Sequence, residues 1–323
     1  MARTRLGFDI GSSSLKIAAL RKNETRIEEV RLPENMVDGN GEIVLPHAFA
    51  QFLRQTRKEL SLPRGPAALV LPPSQAICRL VTMPRMTTEQ LLLNLPYEFT
   101  DFIQGAADQY YCDYAVCGEE DEEQGVPMMA AAASRQTLAG YTRMFRQAGL
   151  RLRTVLPQEM ALIQLCQARG RGAEEFCFVD LGHQFTRITV VCRDRIQATR
   201  QIALGGRNLD MIVSGETGVD PFLSNTYKTS NFQGVLTLPA VTEVCERIAV
   251  EILKVINFYQ FTYRSSALAG LYLVGGGAAL PQLRESIENT VDLPLLDPAE
   301  LLAEAGERAA AGVFAAGAAM GGK

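Results

Sequence analysis

With 323 residues, 47% of them hydrophobic and 21% charged, the chain is long enough for two lobes and reads as a soluble globular protein. Its formal net charge of -4 gives no overall field that would favour nucleic acid, and no Lys/Arg cluster supplies one locally. No signal-peptide-like run follows MARTRLGFDIG and no stretch of about 18 apolar residues occurs, so a cytoplasmic chain without direct membrane insertion is expected.

The first predicted element is a β-hairpin. FDIGSSSLKIAAL (Phe8 to Leu20) reads as two strands around a turn holding Asp9, Gly11 and three hydroxyls, and NETRIEEVRL follows as a third strand. Residues 42 to 60 place Phe49, Phe52, Leu53 and Leu60 on one side of a helix, and PAALVLPP reads as a buried strand ended by prolines. From Arg79 to about Leu156 the order is strand, helix, strand, acidic turn, strand, helix, strand, a small α+β unit inserted into the first lobe. Pro96 interrupts the helix predicted over Thr87 to Gln104 and puts a break near Leu95. The acidic turn, GEEDEEQG, reads as a solvated hairpin tip.

In mid-chain VDLGHQFTRITVV (Val179 to Val191) repeats the first hairpin, aligning Asp9 with Asp180, Gly11 with Gly182 and Lys16 with Arg187, and RDRIQATRQIAL continues it as a strand. A period this long signals a duplicated domain rather than a solenoid. GGRNLDMIVS opens a helix, KTSNFQGVLTLPA reads as loop, and Val241, Val244, Ile248, Ile252, Val255 and Tyr259 mark a long amphipathic helix to about Tyr263. AGLYLVGGGAALPQLRESIENTV is strand, glycine turn and helix; AELLAEAGERAAAGVFAAGAAM closes the chain as a helix too weakly apolar to span a membrane. The seven cysteines are scattered without a C-x-x-C pair, only His47 and His183 stand beside them as ligands, and reduced, packed thiols are expected.

Three glycine-bearing turns carry the chemistry. Main-chain amides hold a phosphate only where side chains leave room, which suits glycine and small hydroxyl residues. DIGSSSLK meets that need: Ser12, Ser13 and Ser14 offer amides and hydroxyls, Lys16 a cation, and Asp9 a carboxylate for a water of a Mg²⁺ shell. LYLVGGGAALPQL ends a strand in Gly275, Gly276 and Gly277 and opens a helix, an arrangement that admits a flat ring or a phosphate. His183 is a candidate base as a histidine, or simply a bulky turn residue.

In this order D-x-G-S-x-x-x-K, D-x-G-x-x-x-T and L-V-G-G-G-A-x-L-P resemble the two phosphate segments and the adenosine segment of the actin/Hsp70/sugar-kinase superfamily. Within it DIGSSSLK, the inserted unit from RLVTMPRM to AGLRLRTVLPQEMALIQL, RQIALGG and INFYQ are most similar to the PilM family, with FtsA next. The resemblance implies an α/β, two-lobed actin-like fold, ribonuclease H-like and duplicated. Its first lobe is residues 1–165, with an inserted α+β subdomain at about 79–156; the second is 166–300, and a C-terminal helix, 301–323, returns to the first. By resemblance, Asp9, Gly11, Ser12, Ser13, Ser14 and Lys16 hold one side of the phosphates of ATP, and Asp180, Gly182 and Thr186 the other. Lys228, Gly275, Gly276 and Gly277 face the adenosine, and Mg²⁺ is held through water by Asp9 and Asp180. PQEMALIQL and the last helix match the crossing helices on which such lobes hinge, with Gln158 and Glu159 beside them as candidates to orient an attacking water. Two departures imply weakened nucleotide binding: His183 and Gln184 stand where the family carries smaller residues, and Ser224-Asn225-Thr226-Tyr227-Lys228 keeps the lysine of an A-E-x-x-K element without its acid.

The implied function is a cytoplasmic ATP-binding scaffold, at most a weak ATPase, of a type IV pilus or related secretion machine. It would lie at the inner face of the membrane by docking a PilN-like tail between the inserted unit and the first lobe; self-association stays open. Two other readings stand. A small-molecule kinase of the same superfamily needs a carboxylate base reaching a substrate pocket. An FtsA-like filament protein wants a basic amphipathic C-terminal helix, which FAAGAAMGGK is not.

Overall fold

Two five-stranded sheets with one and the same strand order organise the chain. The computed structural model describes residues 4–22, 24–118, 125–264 and 267–321. They divide into two units: one runs through Ala173 and takes in Arg193–Gln197 and the chain from Phe314, the other holds Glu174–Cys192 and Ala198–Val313.

The first unit contains β1 (Arg5–Ile10), β2 (Ser14–Arg21), β3 (Glu24–Arg31), α1 (Pro46–Glu59), β4 (Gly65–Leu71), β5 (Ala76–Met83), α2 (Thr88–Asn94), β6 (Tyr110–Val116), β7 (Val126–Ser134), α3 (Arg135–Gln147), β8 (Leu150–Pro157) and α4 (Gln158–Ala168). Its main sheet has the order β3-β2-β1-β4-β8: an antiparallel meander of three, then two strands parallel to β1. Phe8, Phe49, Leu53, Leu69 and Phe145 are fully buried in one core, with Phe8 and Phe145 edge to face at 5.2 Å.

A second, three-stranded sheet, β5-β7-β6, is covered by α2 and a 3-10 turn over Leu95–Phe99, through Leu91, Leu95 and Phe99. Thr87 and Gln90 form a reciprocal cap at the start of α2. The helix stops at Asn94, one residue before the expected break, and Pro96 sits inside the 3-10 turn. The α+β unit expected to reach Leu156 closes as a separate sheet at Ser134 instead. α3 turns Tyr141, Met144 and Phe145 into the core around Phe8 and Phe49, and β8 pairs with β4, so both belong to the main body. The acidic tip lies at residues 119–124, outside the described residues.

The remaining elements are β9 (Glu175–Leu181), β10 (Thr186–Cys192), β11 (Arg195–Ile202), α5 (Gly206–Thr217), α6 (Pro221–Ser230), α7 (Pro239–Thr262), β12 (Gly270–Val274), α8 (Pro281–Thr290), β13 (Leu295–Leu296) and α9 (Ala309–Gly321). The sheet order β11-β10-β9-β12-β13 repeats the first: β10 is antiparallel to β9, and β12 and β13 run parallel to it in turn. α7 buries Val241, Val244, Ile248, Ile252, Ile256 and Tyr259 in the core of this unit, at the expected helical spacing. The segment read as loop from Lys228 holds the last three residues of α6, then a 3-10 turn over Phe232–Thr237 and the start of α7. Asp220 caps that helix by accepting from the Phe222 N–H at 2.8 Å, Pro221 occupies its first position, and Asn231 ends it at a φ of +48°.

The closing helix starts only at Ala309, after 3-10 turns over Pro298–Glu300 and Ala303–Arg308. Its second half packs within the first unit: a β-carbon on Gly317 would collide with the Ala161 carbonyl of α4, and one on Gly7 with the Ala315 carbonyl. Ala315, Ala316 and Ala318 are fully buried, so this helix offers no membrane-binding face there. Among the described residues no helix is long and apolar enough to cross a membrane. All seven cysteines are free thiols, and burial pushes Cys177 up to about 12 and Cys245, by burial first and Glu246 second, to about 11.

Gly7→Val is expected to cost about 1–3 kcal/mol by overpacking against α9. Gly215, in α5 with nothing within 4 Å of an added β-carbon, is the contrast: Gly215→Ala should gain about 0.5–1 kcal/mol. Thermal melts of both variants measure this; equal midpoints would contradict the packing described.

Candidate functional site

The two D-x-G turns are copies in geometry as well as in sequence. In the first, Asp9 on β1 pairs across the hairpin with Lys16 on β2, and the Gly11 N–H donates to the Ser14 carbonyl at 3.0 Å. In the second, Asp180 on β9 pairs with Arg187 on β10, and the Gly182 N–H donates to the Phe185 carbonyl at 3.1 Å. A carboxylate and a cation thus flank an equally tight, glycine-started bend in both units.

At the first turn the Lys16 ammonium lies over the bend: a β-carbon on Gly11 would stand 2.9 Å from its Nζ. Ser12 and Ser13 are half-buried there, and the Ser13 carbonyl accepts from the Leu32 N–H at 3.0 Å. Ser14 is buried and donates its hydroxyl to Glu29 at 2.6 Å, so that hydroxyl is engaged inside the sheet. Gln158 and Glu159 open α4 directly after β8, at the same carboxyl edge of the sheet from which the first turn emerges; Glu159 is buried.

The structure brings the second and third glycine segments together within one unit. β12 runs parallel to β9 with Val274 opposite Asp180, so the turn over Gly275–Gly277 leaves the sheet beside the second bend. Gly275 has a φ of +83°, and a β-carbon on it would collide with an Asp180 carboxylate oxygen. One on Gly277 would stand 2.8 Å from the Leu181 side chain, whereas Gly276 faces open space. Thr186 is fully buried and donates to the Leu204 carbonyl at 2.9 Å, away from the bend. Arg187 donates to Gln201.

Asp210, which sequence reasoning did not single out, anchors the second bend. It sits on the buried side of α5, its Oδ1 2.7 Å from Lys228 Nζ and its Oδ2 3.1 Å from His183 Nε2 and 3.4 Å from the Asn225 amide nitrogen. Lys228 on α6 is buried and also donates to the Gly206 carbonyl at 3.0 Å; its ammonium is held inside the unit rather than presented beside Gly275. The first amides of α5 complete the clamp: Gly206 N–H donates to Gly182 at 3.0 Å and Arg207 N–H to His183 at 2.7 Å. Burial alone would raise the Asp210 carboxyl, but the hydrogen bond from His183 and the Lys228 ammonium outweigh it and hold it below the usual carboxylate value. The only sequence signal for Asp210 was an acid between Leu209 and Val213 on a helix face that must be buried.

A family model described as "Type IV pilus assembly protein PilM" matches residues 7–307. Among solved structures the chain is similar to one titled "PilM-PilN type IV pilus biogenesis complex", with a TM-score of 0.82 at 22% identity, covering 98% of this chain and 98% of that one. It is similar also to the ethanolamine utilization protein EutJ from Carboxydothermus hydrogenoformans, with a TM-score of 0.64 at 18% identity, covering 98% and 89% of the two chains. No curated protein matches by sequence.

Removing Asp210 leaves the buried Lys228 ammonium without its acid, so Asp210→Ala should cost about 3–5 kcal/mol. Because its carboxyl is lowered on folding, its stabilisation is present above the ordinary carboxylate value and lost as pH falls through the folded one. Denaturant titrations below about pH 5 should therefore show a flatter pH dependence for Asp210→Asn than for the parent. Parallel curves would count against the cluster.

Proposed function

Because the chain belongs to the PilM family of type IV pilus assembly proteins and has the actin-like fold, we propose that it is an ATP-binding scaffold that docks the tail of a PilN-like membrane protein. The observation that carries the reading is the repeated bend, Gly11 to Ser14 and Gly182 to Phe185, each flanked by a carboxylate and a cation in the same register.

The residues present fit a nucleotide with Mg²⁺. Glycines stand where a β-carbon would obstruct the main chain, and an ammonium already overhangs the first bend. In this reading Gly11, Ser12, Ser13 and Lys16 would hold phosphate oxygens, Asp9 and Asp180 would be the carboxylates available to hydrated Mg²⁺, and Gly275 to Gly277 would admit the adenosine. Ser14, Thr186 and Lys228 shape the bends from within rather than touching ligand, since their polar atoms are engaged with Glu29, Leu204 and Asp210. Bound Mg²⁺ would neutralise charge on the phosphates. Gln158 and Glu159 are the residues placed to orient a water, and the reading asks for no more than weak turnover.

For the tail, a groove of about 690 Å³ lies between β6 of the small sheet and α3. Tyr111, Arg135, Leu138, Thr142, Arg143 and Arg146 line it, and the Arg135 guanidinium stacks 3.8 Å over the Tyr111 ring. Apolar floor and three guanidiniums suit an extended peptide that carries both apolar and acidic residues. The solved relative is described as a PilM-PilN complex, and this groove is where we place the corresponding contact.

Mg-ATP at about a hundred times its dissociation constant should stabilise the chain by about 2.7 kcal/mol, read as a raised thermal midpoint, and Asp9→Ala should abolish the shift. No shift in the parent at millimolar Mg-ATP would leave a scaffold without nucleotide. Independently, Arg143→Glu with Arg146→Glu should weaken capture of the PilN-like partner by about tenfold or more. Undiminished capture would move the docking place elsewhere.

A further inference from the structure

The first bend leaves the carboxyl edge of the first unit's main sheet, and the opposite edge of that sheet is basic. There β1, β3, β4 and β8 begin, β2 ends, and α1 and α3 deliver their last turns. Buried Arg57 ties these ends together, donating to the Ala148 carbonyl at 2.9 Å and to the Leu62 carbonyl at 3.1 Å. A β-carbon on Gly149 would lie 3.6 Å from the Arg64 side chain. Arg21, Lys22, Lys58, Arg64, Arg146 and Arg151 stand exposed at this edge. Arg5 and Arg26 join them, each donating to a carbonyl, of Met320 and Leu60.

The acids beside them are Glu24, in register with Arg21, Glu28, 2.7 Å from Arg26, and Glu59, next to Lys58 in sequence. Eight cations thus face three acids, on a chain whose net charge is -4. The sequence hides the cluster because its members are far apart, yet residues 60–88 and 124–158 contain no Asp or Glu. Lys58 and Arg146 complement the carbonyl ends of their helices, which is reason enough for those two. Arg21, Lys22, Arg64 and Arg151 have no such duty.

We propose that this edge rests on a bilayer surface that carries anionic lipid headgroups. The choice of a bilayer rests on the reading that the groove beside α3 receives the tail of a membrane protein. That groove is lined from Arg135 to Gln147, the first and last residues of α3, so one of its ends lies at the basic edge and a tail lying in it leads from there to the membrane. None of the exposed large apolar residues among the described ones belongs to these strand and helix ends, so the contact is adsorption to headgroups without insertion, and no aromatic platform for nucleic-acid bases is offered. Each cation near an anionic surface adds a small attraction, and a tethering tail raises the effective concentration, so weak adsorption suffices. The first bend then points away from the bilayer, toward solvent.

Flotation of the purified chain with vesicles tests the proposal without any partner. The parent should float with an equimolar mixture of phosphatidylcholine and phosphatidylglycerol and not with phosphatidylcholine alone, and raising salt should release it. Arg64→Glu with Arg151→Glu should weaken vesicle binding by about tenfold or more. Arg247→Glu with Lys254→Glu, the same change of charge on α7, should leave it at the parent's level, and matching thermal melts would show both variants folded. A chain that captures the PilN-like tail but ignores anionic vesicles would overturn this proposal and leave docking standing; one that floats through this edge yet captures no tail would support it and remove the docking. Equal loss in both double variants, or retention on duplex DNA in preference to vesicles, would also overturn it.

Discussion

Main chain meets main chain around the second bend only because Gly205, Gly275 and Gly277 lack a β-carbon. A side chain at Gly205 would stand 2.7 Å from the His183 carbonyl, and one at Gly275 would strike Asp180. With those atoms absent, the N-terminus of α5 can donate directly to the bend and the third glycine segment can lie flat against it. The buried charges follow from this closeness. Asp210 tolerates removal from water because the same approach delivers the His183 ring and the Lys228 ammonium to its two oxygens, which offsets a desolvation cost that neither partner could meet alone.

The polar side chains nearest the bends are largely committed to their own sheets: Ser14 to Glu29, Thr186 to Leu204, Lys228 to Asp210 and Gly206. What the bends themselves present is backbone, flanked by the Asp9 and Asp180 carboxylates, with Lys16 over the first. Such a surface suits recognition of phosphate by amides.

The duplicated hairpins were legible because register is written in sequence: an alternating pattern with Asp and a cation seven residues apart admits one pairing, and the strands adopt it. The long α7 was legible for the same reason at a different period. Sheet partners were not. β8 finds β4 some eighty residues upstream, and nothing local distinguishes that pairing from one with the nearer β7, so α3 and β8 were assigned to the inserted unit. α6 was partly missed because Ser224, Asn225, Thr226 and Thr229 are weak helix formers, although Asp220 and Pro221 announced its start. Asp210 was illegible for a physical reason: an acid in a buried stripe is stable only with a cation beside it, and Lys228 lies eighteen residues on, at the start of a segment that reads as loop.

One consequence attaches to Cys177, which lies in β9 three residues before Asp180, fully buried and with its thiol pushed up to about 12. A protonated, inaccessible sulfur is inert toward alkylating reagents as long as β9 stays in the sheet. Its reaction rate therefore reports how often this strand opens, and so how long-lived the second bend is between openings. The chain carries a built-in clock for the rigidity of its own bend, with no foreign label required.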